Sequence, residues 1–365
     1  MSAHEILIAV MAVFAALGGL DRIFGNRFGL GEKFEEGILA MGSLALAMVG
    51  IISLAPVLAA VLKPVIVPVF SLLGADAAMF AGTILASDMG GGSLAMELTE
   101  NYEAAMLGGV ITGSMLGSTI VFIIPVAMGI LPEEDRPAMA KGILCGIVTI
   151  PLGVIVSGFA AGFGIGLVLR NVLPIVLIGA LIALGLWRAE KAMIRGFAAF
   201  GKGVIAVITL GLIGAVVREL TGFELIAGLA PISEGFEVVG EIAIVLAGAF
   251  PLVYVVTKVL RKPLMKLGKS IGINETAAAG LVAATANAIA TFGLVRDMDN
   301  RGKIVNIAFC VSGAFVFGDH LGFTAGFAPE MLVPVILGKL VGGVSAVAVA
   351  LWVTGREPDG SAPKA

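Results

Sequence analysis

The chain has 365 residues, of which 59% are hydrophobic and only 13% charged, and its formal net charge is −3. A soluble domain carries about 25% charged residues, so this balance excludes one, and the lack of a basic surplus excludes a nucleic-acid face. A polytopic, all-α membrane protein remains.

The elements follow in chain order. Met1–Glu5 carries no basic cluster, and the apolar segment after it, about Ile6 to Ile23, leads into Asp21-Arg22 rather than a small-residue cleavage site. It reads as a retained first helix and not a signal peptide. Charge-free runs follow at Gly37–Leu62, Ala104–Pro132, Gly142–Leu169 and Asn171–Trp187. Each is near or above the roughly 20 residues a spanning helix needs. In the second half, spans are predicted over 203–221 and 238–261. Cys145 and Cys310 both fall in apolar runs, where cysteine serves as a small hydrophobe. No CxxC, HExxH, P-loop or nucleophile-elbow pattern occurs, so neither an enzyme nor a metal or cofactor is expected.

The two halves resemble each other. Gly272 and Gly280 follow Gly74 and Gly82 by 198 residues each, with Asn274 matching Asp76 and Ser312 matching Ser114. One gap later, Pro329, Pro334 and Gly343 match Pro132, Pro137 and Gly146, and earlier Phe236-Glu237 matches Phe34-Glu35. Positive side chains mark cytoplasmic loops. Arg188, Lys191, Arg195 and Lys202 form one such loop; Lys258, Arg261, Lys262, Lys266 and Lys269 form another, while Glu219, Glu224, Glu234 and Glu237 lie between them. The segment 275–296 therefore starts inside and meets Arg296, Arg301 and Lys303, also inside. It enters and returns without crossing.

Counting backward makes 77–98 an outward-facing hairpin of the same kind, so the repeats are inverted. The expected layout is 1–168 for the first repeat, 169–202 for a linking helix and basic loop, 203–354 for the second repeat, and a disordered tail at 355–365. This gives nine spans, within a range of about 9–11. Inverted repeats with broken helices form a transporter pattern, because freed backbone groups at mid-depth survive only against protein or a water-filled cavity. Gly90, Gly91 and Gly92 supply the break in the first hairpin, where glycine tolerates a tight reversal.

Polar groups at membrane depth are the candidate site. Asp319-His320 lies in a stretch otherwise uncharged from Ile304 to Ala328, and an aspartate at a helix centre costs roughly 2.5–3.5 kcal/mol on insertion scales. Being adjacent, the two point about 100° apart on a helix. They serve either as an internal ion pair or as a site for a small cation, with Phe315, Phe317 and Phe323 nearby. Asp88, directly before the glycines, reads as a cation ligand or gate, or as a hairpin tip in water. Asn287, at the matching place in the second hairpin, reads as a structural bridge or as a substrate ligand. Asp76 and Asn274 read first as helix N-caps. Glu35 and Glu36, at the mouth of the second helix, read as first-turn capping residues before binding ones.

Several of these stretches carry a resemblance. Phe34-Glu35-Glu36-Gly37, Ala40-Met41-Gly42, Asp88-Met89-Gly90-Gly91, Gly318-Asp319-His320-Leu321-Gly322-Phe323 and Gly338-Lys339-Leu340-Val341-Gly342-Gly343 together resemble the EutH family. The resemblance runs from about Glu5 to Val353 and departs at Gly92-Ser93, where relatives carry bulkier apolar residues. It implies an ethanolamine permease of the bacterial cytoplasmic membrane, with ethanolamine and lipids as partners and self-association left open. The chemistry agrees: a carboxylate, Asp319 or Asp88, for the ammonium, and Asn287 or His320 for the hydroxyl. The runner-up is an ion-coupled carrier of another small amine or polar solute.

Overall fold

Long apolar runs satisfy their backbone away from water by forming helices. In the computed structural model, which describes residues 2–355, every regular element is helical. The elements are α1 (Ala3–Ile23), α2 (Leu30–Leu72), α3 (Ala78–Ile84), α4 (Gly91–Leu98), α5 (Tyr102–Ile130), α6 (Glu133–Ala160) and α7 (Ile165–Thr221). After them come α8 (Ile232–Ser270), α9 (Glu275–Ala286), α10 (Ala288–Leu294), α11 (Asn300–Gly313), α12 (Asp319–Phe327) and α13 (Leu332–Thr354). Seven helical stretches of the described residues are long and apolar enough to cross a membrane. The tail expected at 355–365 lies, from residue 356 on, outside the described residues.

α7 is too long for one crossing. Its 57 residues would reach about 85 Å at 1.5 Å per residue. It breaks at Ala189 (φ −143°, ψ 46°), and a Cβ on Gly185 would stand 2.6 Å from the Met193 sulfur. In a straight helix those residues are about 12 Å apart, so the two arms fold back on each other. The basic stretch read as a loop is therefore helical from residue 190 on, and a single residue makes the turn.

α2 and α8 form the spine, packed antiparallel. A Cβ on Gly37 would meet Leu246 and Ala247, while one on Gly235 would meet Val49; contacts thus climb α2 as they descend α8. α6 and α13 also run antiparallel, with Thr149 donating to the Gly342 carbonyl (3.0 Å) and Gly153 lying against Gly338. The core between them is α5, buried along almost its whole length.

Both hairpins double back. Thr99 donates its hydroxyl to Asp76 Oδ2 (2.9 Å), tying the end of α4 to the start of α3. In the second half Asn274 Nδ2 donates to the Asp297 carbonyl (2.9 Å), and the Asn274 N–H donates to Asp299 Oδ1 (2.8 Å). Asp76 and Asn274 also accept from the Ala78 and Ala277 N–H groups, so each carries a cap as well as the tie. Thr99→Val should therefore lower stability by about 1 kcal/mol, read as an earlier thermal midpoint in detergent with the transport substrate absent.

The first hairpin packs on a distorted stretch of α5. Residues Met106–Gly117 are π-helical, a geometry that occurs mostly as short bulges at functional sites. Gly82, Gly108 and Gly117 allow the approach: a Cβ on Gly108 would stand 2.5 Å from the Ala78 carbonyl oxygen.

Candidate functional site

In the second half the chain breaks between α11 and α12. Residues 314–318 run unwound, with Phe315 at φ 60°. Unwound backbone inside a membrane needs partners, and α9 supplies them. Phe315 N–H donates to the Ala284 carbonyl (3.1 Å) and Phe317 N–H to the Thr285 carbonyl (2.8 Å). The break in the hairpin and the break in the long helix thus meet and satisfy each other. Gly318 makes the approach possible, because a side chain there would strike the Ala286 carbonyl.

Where the breaks meet there is a cavity of about 280 Å³, lined by Asp319, Asn287 and Phe317 among others. Three predicted site residues therefore converge. Asp319 opens α12, and Asn287 caps α10, its side chain accepting from Ile289 N–H (2.8 Å) and the amide nitrogen left over. Tyr254 and Thr257 of α8 form the opposite wall. Lys33 and Glu36, an ion pair on the first turns of α2, stand at the rim. Glu36 is thus a cavity residue, although the sequence favoured a capping role for it.

His320 turns the other way, as adjacency on a helix requires. It is 2% exposed, its Nε2 lies 3.6 Å from Asp88 Oδ1, and its ring sits 5.3 Å from that of Phe315. Asp88 and His320 therefore form a pair, and Asp319 sits on the far side of the same helical turn. Neither His320 Nδ1 nor Asp88 Oδ1 has a hydrogen-bond partner among the described residues. Such orphaned buried polar atoms are uncommon and call for an explanation.

The three glycines form the turn beside this pair. Gly90 is left-handed (φ 90°), and a side chain on it would strike Ile51. Gly92 lies under the stacked rings of Phe323 and Phe327, whose centroids are 5.0 Å apart. His320, Phe323 and Phe327 share one face of α12, so the first hairpin closes against that face.

A second vestibule of about 340 Å³ lies beyond the two phenyl rings, lined by Ser93, Glu97, Tyr102, Glu234 and Phe327 among others. On α2 the first cavity touches Lys33 and Glu36 and the second Ile52 to Pro56; on α8 they touch Phe250 to Thr257 and Glu234. About 16–20 residues of helix, roughly 25–30 Å, separate them on either rod. They lie toward opposite ends of the two rods, the first rimmed by the Lys33–Glu36 pair and the second by Glu97 and Glu234.

Lys339 is the residue that sequence reasoning passed over. It is 1% exposed, and its Nζ donates to the Ser114 carbonyl at 2.6 Å, in the π-helical part of α5. The signal was available: it is the sole charge in Leu332–Thr354, and intramembrane charges mark function. Cys145 and Cys310 are free and buried, and no group of three or more His, Cys, Asp or Glu of the described residues is placed to hold a metal.

The sequence was compared with known proteins. The profile of the family described as "Ethanolamine utilisation protein, EutH" matches residues 3–353. A Listeria monocytogenes protein named "Probable ethanolamine permease EutH" is 58% identical over 98% of this chain and 95% of its own. An Escherichia coli protein of the same name is 47% identical, over 100% and 98%. A Bacillus subtilis protein named "Uncharacterized protein YxeR" is 48% identical, over 97% and 96%. No solved structure matches the chain. The chain belongs to the EutH family.

Proposed function

We propose that this EutH-family chain is a carrier that takes up ethanolamine across the bacterial cytoplasmic membrane, holding the protonated amine in the Asp319 cavity. The observation that carries this reading is the meeting of two helix breaks around one carboxylate within a multi-pass membrane protein. The names of its relatives support the substrate.

Ethanolamine is protonated near neutral pH, by analogy with lysine at about 10.4, and carries a hydroxyl one ethylene away. Asp319 offers the ammonium a charge, and the Phe317 ring adds a cation–π contact of about 0.5–2 kcal/mol. Asn287 offers the hydroxyl its free amide donor, and His320 lies one residue further in. If this division holds, Asn287→Ala raises the KM for ethanolamine about 5-fold, the loss of one hydrogen bond of ~1 kcal/mol. For ethylamine, which lacks the hydroxyl, KM stays where it was. Competition assays with both amines check this.

The mechanism we infer is alternating access with the two hairpins as opposed gates, nine crossings in all, and the halves as inverted repeats. Support comes from the antiparallel packing of α2 against α8, which the internal repeat pairs with each other. In the observed state the Asp319 cavity opens on the side of Lys33, which positive side chains assign to the cytoplasm. The opposite path is shut by Phe323 and Phe327 on Gly92. Uptake of labelled ethanolamine into proteoliposomes at acidic pH tests the function. Entry above protein-free liposomes, competed by unlabelled ethanolamine and not by ethanol, is expected; no entry above the blank would refute it.

A further inference from the structure

Two polar ties join the segment 102–135 to the segment 303–330, one near each end. At the inner end Lys303 of α11 donates to Asp135, in the turn from α5 to α6, at 2.5 Å. At the outer end the hydroxyl of Tyr102, the first residue of α5, donates to the Glu330 carboxylate in the turn Pro329–Met331. Their surroundings differ. The side chains of Lys303 and Asp135 are 16% and 6% exposed, and Asp135 Oδ2 already lacks a partner among the described residues. Parting this pair would strand two largely buried charges, which is costly. Gly142 and Gly146 of α6 also lie against Ile307 and Val311 of α11, so packing clamps the inner end as well. Tyr102 is 47% exposed, and Glu330 is exposed too. Both can exchange their bond for water, so parting the outer tie costs little.

Between the ties runs the seam where the first hairpin meets α12. On one side α4 is fixed to α5: a Cβ on Gly109 would stand 2.6 Å from the Ala95 Cβ and from the Gly91 carbonyl oxygen. On the other, Phe323 and Phe327 of α12 cover Gly92, and Glu330 follows Phe327 by three residues. α12 has irregular backbone at both ends, the unwound residues 314–318 before it and Ala328 (φ −150°, ψ 75°) after it. It can tilt as a short rod without disturbing α11. Tyr102 also lines the outer vestibule, so the outer tie stands where a solute from outside would meet the seam.

Resting on the carrier reading above, we propose that Tyr102 and Glu330 form the outer latch of the transport path and that the Lys303–Asp135 pair is its fixed hinge. With the latch made, the two phenyl rings lie on Gly92 and the outer path is shut. When the hydroxyl and the carboxylate part, the seam opens from its outer edge and the rings lift from Gly92. The vestibule then extends inward to Ser87, which is fully buried while the latch is made. The inner pair stays intact throughout.

The first test needs no substrate. Ser87→Cys in right-side-out membrane vesicles is treated with a membrane-impermeant maleimide, and the parent chain, whose Cys145 and Cys310 are buried, is the blank. Adding Tyr102→Phe removes the hydroxyl and keeps the ring. It should speed external labelling about fivefold or more, the weight of one hydrogen bond. Replacing the inner pair instead with apolar residues, Lys303→Met with Asp135→Leu, should leave labelling within about twofold, because such a swap keeps a buried contact packed. No change with Tyr102→Phe overturns the latch, and equal speeding by both replacements overturns the division into latch and hinge.

The second test locks the latch. Tyr102→Cys with Glu330→Cys is joined by a short bis-methanethiosulfonate linker in proteoliposomes, and ethanolamine uptake is measured before linking, after linking and after reduction. Linking should cut uptake at least tenfold and reduction should restore it, while each single cysteine variant, treated alike, stays within about twofold. Full linking that leaves uptake within about twofold of the unlinked protein overturns the latch and leaves the carrier reading standing. No uptake by the wild type removes the carrier reading, and the labelling result still decides the latch.

Discussion

Asp319→Asn should weaken ethanolamine binding by more than tenfold while leaving the protein folded. Asparagine has the same shape and keeps a hydrogen-bonding oxygen at the start of α12, so the half-helix that begins there is preserved. What disappears is the charge of the carboxylate that lines the cavity at the start of α12. Removing one member of a desolvated charge pair costs roughly 2–5 kcal/mol, which at 1.4 kcal/mol per decade is about 30-fold or more in affinity. Isothermal titration or scintillation proximity with labelled ethanolamine reads this directly. Binding within about threefold of wild type would move the ammonium away from Asp319. At acidic pH, uptake by Asp319→Asn should fall to the protein-free level; equal rates for the two proteins would carry the same message.

The second large effect is expected at a glycine. Gly318→Ala puts a methyl group into the Ala286 carbonyl, at the point where the unwound residues 314–318 are held by α9. Overpacking costs roughly 1–3 kcal/mol. Here the strain falls on two backbone hydrogen bonds that nothing else in a membrane interior replaces. Transport should drop at least tenfold, with an earlier melting transition in detergent. Gly129→Ala in α5 is the control, because a Cβ there meets nothing within 4 Å; it should be neutral or slightly stabilising, since alanine favours a helix over glycine. If both variants behave alike, the close approach at Gly318 is not what holds the site.

How far the sequence foretold this arrangement varies by element. The hairpins were legible because their closing residues are chemically distinctive: Asp76 and Asn274 are short polar side chains just before each hairpin, and each both caps a helix and ties the hairpin shut. Asp319, Asn287 and Phe317 were legible because polar and aromatic groups stand out in apolar runs. The break at residues 314–318 was not. Ala314-Phe315-Val316-Phe317 carries no proline or polar residue, and its unwinding is imposed by α9 offering carbonyls across the gap, a tertiary contact that no local signal announces. The fold-back at Ala189 was hidden for a similar reason: its basic flanks read as a loop, whereas the residues after it continue as helix. Lys339 stands out as the sole charge in Leu332–Thr354, but its partner, the Ser114 carbonyl, is 225 residues away in the chain and carries no local signal.

Asp88 and His320 show a different limit. The sequence offered both as substrate ligands beside Asp319, yet the structure pairs them with each other on the opposite side of α12. Adjacency in the chain set Asp319 and His320 on different faces of one turn, and only the packing of the first hairpin decided which face met the cavity.

The central claim is that one cavity around Asp319 serves both sides of the membrane in turn, and counterflow tests it most directly. Proteoliposomes at acidic pH, preloaded with unlabelled ethanolamine or left empty, are diluted into labelled ethanolamine. Preloading should accelerate entry several-fold, because a loaded carrier returns with substrate on Asp319. Entry that is indifferent to preloading and does not saturate would contradict an alternating site.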